Sequence, residues 1–100
     1  MELMVAGWYY KDCGTKIVNE KFKRRKFILK IEEERNNNNK FINYITFQLT
    51  NNKVVLLNPF MEGDKIKVMF NLRGKLLEQN GQEVRSINNL DAWRVEKINN

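Results

Sequence analysis

Histidine is absent from this 100-residue chain. That excludes imidazole metal sites and the histidine-dependent acid–base pairs of nucleophilic catalysis. Cysteine occurs once, as Cys13; a lone thiol makes neither an internal disulfide nor a cysteine-rich zinc site, and no imidazole is there to activate it. No apolar run approaches the ~18 residues of a membrane-spanning helix. The opening Met1-Glu2-Leu3-Met4-Val5-Ala6-Gly7 carries an acid where a secretory signal would carry lysines, so a cytoplasmic protein with no membrane partner is expected. Gly14-Thr15-Lys16 shares only its last residues with a phosphate-binding loop, because Tyr9 stands where that loop needs its upstream glycine. Glu32-Glu33-Glu34 is the densest acidic run. On a strand its neighbours point to opposite faces, so it reads as a solvated hairpin end rather than a carboxylate pair. The chain is therefore not expected to be an enzyme, and no cofactor or metal is expected.

What is present is ordinary globular composition, 42% apolar and 30% charged, in a length that suits one domain with a modest core. The 18 Lys and Arg against 12 acids leave a net charge of +6, which favours polyanionic partners such as nucleic acid. The Asn36-Asn37-Asn38-Asn39 run reads as loop filling.

Strand patterns dominate. Phe27, Leu29 and Ile31 share one face; Ile45, Phe47 and Leu49 share another, opposite Ile42, Tyr44, Thr46 and Gln48. Ile66, Val68, Phe70 and Leu72 alternate with Lys67, Met69, Asn71 and Arg73. Two further strands are expected over about residues 2–11 and 84–98. Asp12-Cys13-Gly14-Thr15 opens a first loop, Arg35 to Lys40 caps a hairpin, and Asn80-Gly81 marks a tight hairpin turn. Between strands three and four, the apolar block Val54-Val55-Leu56-Leu57 suits about two helical turns, stopped by Pro59. The pattern predicts an all-β fold: a five-stranded Greek-key OB-fold barrel with one short helix between strands 3 and 4, forming a single domain over residues 1–98.

Phe60-Met61-Glu62-Gly63-Asp64-Lys65-Ile66-Lys67-Val68 resembles the helix-to-strand-four passage of bacterial single-stranded DNA-binding proteins. Val68-Met69-Phe70-Asn71-Leu72-Arg73-Gly74 and Asn88-Asn89-Leu90-Asp91-Ala92-Trp93-Arg94-Val95-Glu96 resemble a narrower group, an uncharacterised family of small bacterial and phage OB-fold proteins related to them. The resemblance implies single-stranded DNA binding in replication, repair or recombination. The chain ends at Asn99-Asn100 without the long acidic tail by which replication-type members recruit partners, which argues against a general replication hub.

Three groups of residues carry the binding expectation. The first is the basic run Lys11, Lys16, Lys21, Lys23, Arg24, Arg25 and Lys26, around the first loop and the start of strand two; in an OB fold this loop borders the groove, and cations there neutralise phosphates and release counterions. The second is aromatic: Tyr44 points outward if Phe47 points in, and can stack a base. Trp8 and Tyr10 divide between stacking and core, because a bulge near Gly7 would reverse their sides. Trp93 shares parity with Val95 and reads as core. The third is Lys67, Arg73 and Lys75 on strand four, with Arg85 across the turn, as secondary phosphate contacts; charges there also protect a sheet edge from aggregation.

Such binding would be weakly sequence-specific and would weaken as salt rises. RNA is a second candidate ligand, and a homodimer would extend a short groove. The competing expectation is a protein–protein adaptor or inhibitor docking on a replication or repair protein through Trp8, Tyr10, Ile42 and Met69. Cations and rings lining one groove would favour nucleic acid; an apolar patch apart from the basic stripe would favour the adaptor.

Overall fold

The computed structural model describes residues 2–35 and 39–99. It contains strands β1 (Glu2–Asn19), β2 (Phe22–Arg35) and β3 (Asn39–Thr50), a 3₁₀ helix (Asn51–Leu57), then β4 (Lys65–Leu77) and β5 (Arg85–Lys97). The strands close into one barrel in the order β1-β2-β3-β5-β4. All neighbours are antiparallel except β3 and β5, whose parallel contact is the single pair Gln48–Asp91.

The core follows from the alternation. Phe27 and Leu29 from β2, Phe47 and Leu49 from β3, and Ile66 and Val68 from β4 are wholly or almost wholly buried, and Tyr9 and Ala92 join them from β1 and β5. Each full burial of this kind is worth about 1.5–3 kcal/mol. Rings run across the interior: Tyr9 meets Phe27 edge-on at 6.1 Å, Phe27 stacks on Phe47 at 5.6 Å, and Phe47 meets Phe70 edge-on at 5.0 Å. Trp93 does not join this cluster. It falls at the bulge where Met69 pairs Arg94 and Phe70 pairs Ala92, so the parity that made it a core residue breaks there and Ala92 turns inward instead. Its indole N–H is buried without a hydrogen-bond partner among the described residues.

The element between β3 and β4 is a 3₁₀ helix rather than two α-helical turns. Its buried residues, Val54 and Leu57, are three apart, the spacing that aligns side chains on a 3₁₀ helix. The adjacent β-branched Val54 and Val55 resist a short α-helix, and Pro59 lies just beyond.

Two expected loops are different in the structure. β1 continues through Asp12–Thr15 to Asn19 by means of register shifts, so the basic run lies on a long β1–β2 hairpin and not on a loop. The β4–β5 connection spans 78–84, with Gln82 N–H donating to the Gln79 carbonyl at 3.1 Å. Of the Asn80-Gly81 pair only Gly81 has positive φ, so this is not the two-residue hairpin that needs both. The Asn36–Asn38 part of the expected β2–β3 turn lies outside the described residues. Paired strands extend past the closed barrel, and the radius of gyration is 15.7 Å, against about 13 Å for a compact chain of this length.

Candidate nucleic-acid interface

On β2 the inward set Phe27, Leu29 and Ile31 leaves Arg24, Lys26, Ile28, Lys30 and Glu32 outward. On β3 the inward set Ile45, Phe47 and Leu49 leaves Ile42, Tyr44, Thr46 and Gln48 outward. The register then sets Lys26 beside Gln48, Ile28 beside Thr46 and Lys30 beside Tyr44. A four-position step along one face thus carries two cations and a ring.

β1 completes this surface. Tyr9 is 2% exposed, so Trp8 and Tyr10 take the outer face; the bulge that could have reversed them comes after Tyr9, not at Gly7. Trp8 pairs with Lys30 of β2 on one side and Lys65 of β4 on the other, and the Lys65 ammonium lies 5.1 Å from the indole ring centroid. The exposed Tyr10 and Tyr44 rings meet edge to face, 5.0 Å apart. Trp8, Tyr10, Lys30 and Glu32 line a shallow cavity of about 460 Å³. Lys30 was not among the residues singled out from sequence, although its parity with Lys26 and its place between Trp8 and Tyr44 could have revealed it.

The β1–β2 hairpin continues the surface with charge. Lys16 pairs with Arg24, and both line a cleft with Lys26, Cys13 and Gly14. Lys11, beside Ile28 at the bulge, is also exposed. Lys16, Arg24, Lys26 and Lys30 therefore share one side with Trp8, Tyr10 and Tyr44.

Other expected contacts fall elsewhere. Arg25 has the inward parity of Phe27 and is a structural brace. Its Nε and Nη2 donate to Asp12 at 3.2 and 2.8 Å, and its Nη1 donates to the Val54 carbonyl at 2.8 Å and to Asn58 at 2.7 Å. Four N–H···O bonds leave this guanidinium little capacity for a phosphate. Hydrogen bonding from Arg25 holds the Asp12 carboxyl below its ordinary pKa, and the same pairing raises that of Arg25. Burial, and then the Asp12 charge, raise the Tyr9 phenol.

Lys23 follows the parity of Arg25 and lines the cleft against Asn51 and Asn52, away from Arg24 and Lys26. Lys67 lies on β4 between Ala6 of β1 and Glu96 of β5, with an ion pair to Glu96 at 3.3 Å. Arg73 is held by Asp91 at 3.0 Å. Lys75 and Arg85 stand out on the β4–β5 hairpin, opposite Ile87 and Leu77. The residues that would anchor an adaptor are divided as well: Trp8, Tyr10 and Ile42 are on the β1–β2–β3 face, but Met69 is on β4 opposite Met4.

Five strands closed in this order, with one short helix after the third, make the chain an OB-fold protein. It belongs to the domain family of unknown function DUF3127, which matches residues 8–96. No curated protein matches it in sequence. Among solved structures it is similar to the Plasmodium falciparum SSB in complex with ssDNA, with 18% identity, a TM-score of 0.62, and 98% of this chain and 94% of that one covered. It is also similar to the mitochondrial single-stranded DNA-binding protein Rim1 of S. cerevisiae, at 10% identity, TM-score 0.69 and coverage of 100% and 96%. A third is the dimeric N-terminal domain of PriB from Thermoanaerobacter tencongensis, at 16% identity, TM-score 0.63 and coverage of 99% and 97%. At these identities the likeness establishes the fold.

Proposed function

We propose that this protein binds single-stranded DNA across the outer face of β1, β2 and β3, as an accessory factor in replication, repair or recombination and not as an enzyme. The observation that carries the reading is co-location: Lys16, Arg24, Lys26 and Lys30 lie on the face that also presents Trp8, Tyr10 and Tyr44. Outer strands 2 and 3 and the flanking hairpins are where OB folds take oligonucleotides. Two of the similar structures are single-stranded DNA-binding proteins, one of them in complex with ssDNA, which supports the same ligand here.

In this reading the cations follow the phosphates while the rings take bases, so discrimination between sequences is weak and affinity falls with salt. Two copies side by side would lengthen the groove. The division of the apolar anchors between two walls is the reason to prefer nucleic acid over a protein partner.

The test is fluorescence anisotropy of labelled oligothymidine, a matched duplex and oligouridine, titrated at low and near-physiological salt. Tighter binding of the DNA single strand with a negative log–log salt slope is expected. Equal weak binding to single strand and duplex, lost at physiological salt, would overturn the reading. Tighter binding of oligouridine would reassign the ligand to RNA.

A further inference from the structure

The single-strand reading uses one face of the β1–β2 hairpin, yet the hairpin carries cations on both. Lys16 pairs with Arg24, and the next rung pairs Ile17 with Lys23. Successive rungs of a two-stranded ribbon point to opposite faces. Lys16 and Arg24 therefore turn to the cleft they share with Lys26. Ile17 and Lys23 turn the other way, into a separate cavity of about 370 Å³ that Lys21, Phe22, Asn51 and Asn52 also line. From Lys16 to Arg24 the chain has four cations and one acid, Glu20. No ion pair among the described residues uses Lys16, Lys21, Lys23 or Arg24, so their charge is available on two sides of one narrow arm.

The arm ends in apolar side chains. Ile17 is 76% exposed and Val18 beside it 48%, and Ile17 with Phe22 forms the apolar part of the cavity. A partner that matches this tip is polyanionic and offers apolar surface of its own. The end of a DNA duplex has both, a stacked base pair between two phosphate chains, and aliphatic side chains act as wedges at base steps. An anionic membrane would also match the charge, but the arm is continuous with the groove. Lys26, which borders the Lys16–Arg24 cleft, stands on the same outer face of β2 as Lys30 beside Tyr44, so a strand leaving the groove at this end arrives at the tip.

A wedge has to be stiff, and this hairpin is tied down. The Lys23 N–H donates to Asn51 Oδ1 at 3.1 Å, which joins the arm to the start of the 3₁₀ helix. The Lys21 N–H donates to Asn19 Oδ1 at 2.9 Å and closes the turn. Below them Arg25 braces the same hairpin against Asp12 and the Val54 carbonyl.

We propose that the β1–β2 hairpin is a strand-parting wedge that seats the protein at the junction of duplex and single-stranded DNA. One strand passes Lys16 and Arg24 into the groove. The other is taken by Lys21 and Lys23 on the opposite face, with Ile17 and Val18 against the last base pair. The proposal rests on the single-strand reading above and adds a substrate class, the forked duplex, which a one-sided groove does not select.

The experiment reads, by anisotropy at one near-physiological salt, the dissociation constants of three labelled DNAs. These are an oligothymidine, a blunt duplex, and a fork of that duplex with two oligothymidine arms of the same length. Two added phosphate contacts and the cover of an apolar side chain predict about tenfold tighter binding of the fork than of the oligothymidine. The double variants Ile17→Ser with Val18→Ser, and Lys21→Gln with Lys23→Gln, should each reduce that advantage to about threefold or less. Both should leave oligothymidine affinity as in wild type, because neither touches the groove face.

The proposal is overturned if the fork binds no tighter than the oligothymidine or the blunt duplex. It is equally overturned if either variant, folded by circular dichroism, keeps the full advantage. Ile17-dependent co-sedimentation with phosphatidylglycerol vesicles, in place of a fork advantage, would overturn it in favour of a lipid surface. Failure of the wild-type protein to bind oligothymidine at low salt would remove the single-strand reading itself, and the wedge with it. Oligothymidine binding without a fork advantage would leave that reading standing and remove only the wedge.

Discussion

The Tyr10 and Tyr44 rings meet edge to face, 5.0 Å apart, although β2 lies between their strands. Tyr10 takes the outer surface next to the buried Tyr9, and from the bulge in register that follows Tyr9 it reaches over β2 to Tyr44. Both rings are 54% exposed, so each holds the other in position while keeping a face for a base. Tyr44→Ala should cost about 1–3 kcal/mol of single-strand affinity, at least fivefold in the anisotropy titration. Tyr44→Phe should retain most of it, since the ring and not the hydroxyl does the stacking. Equal loss in both variants would show that Tyr44 acts through its hydroxyl.

The salt slope separates groove cations from the others. Lys26→Ala and Arg24→Ala should each reduce the log–log slope by about 0.7 for one phosphate contact removed. Lys67→Ala should leave it unchanged, because Lys67 is already paired with Glu96 at 3.3 Å. A slope that responds equally to all three would mean diffuse charge attraction without a groove.

Arg25 ties the β1–β2 hairpin to the segment after β3 through Asp12, Val54 and Asn58. Its side chain is 13% exposed, and hydrogen bonds to charged groups of this kind contribute about 1.5–3 kcal/mol. Arg25→Met should lower stability by that amount, seen as a melting temperature lower by about 4–8 °C per kcal/mol, with DNA affinity following the folded fraction.

The same pair gives an acid dependence. The Asp12 pKa is lowered in the folded state by the hydrogen bond from Arg25. Its stabilisation is therefore complete above the ordinary value of 3.8 and is lost as pH falls below that value through the folded pKa. Chemical denaturation across this window should show the loss in wild type and a smaller one in Arg25→Met.

Gly7 is buried against β2. A Cβ there would lie 2.5 Å from the Lys30 carbonyl oxygen, 3.0 Å from Leu29 and 3.2 Å from Ile31. Backbone cannot yield as a side-chain end can, so Gly7→Ala should destabilise by about 1–3 kcal/mol, measured by denaturant titration. Because Lys30 is on the DNA-binding face, a loss of affinity greater than the unfolded fraction explains would show that the crossing also sets the groove.

Much of this fold was readable in the alternation itself. Phe27 and Leu29, Phe47 and Leu49, and Ile66, Val68 and Phe70 lie two apart because a strand turns successive side chains to opposite faces, and they are the core. The same rule, followed through Phe27, already separates Arg25 from Arg24 and Lys26. Placing most of the basic run in the first loop hid that, since a loop has no parity. Bulges were not legible. The one after Tyr9 sets Lys11 beside the outward Ile28 and Asp12 beside the inward Phe27, and the one at Trp93 removes that ring from the core; each adds a residue to one strand only, and a single strand carries no mark of its partner's register.

By itself, then, the sequence determined the strand order, the inward faces, the excess of positive charge and the exclusion of histidine chemistry, because these depend on residue type and local spacing. Which cations keep company was decided only by the closed barrel. Lys16 and Arg24 meet Lys26 in one cleft, Arg25 is drawn to Asp12 and Asn58, and Lys67 is paired with Glu96. Gln48 and Asp91, 43 positions apart, come together where the sheet closes on itself. Contacts of that kind arise from register and closure, which belong to pairs of strands and to the whole sheet rather than to any one segment.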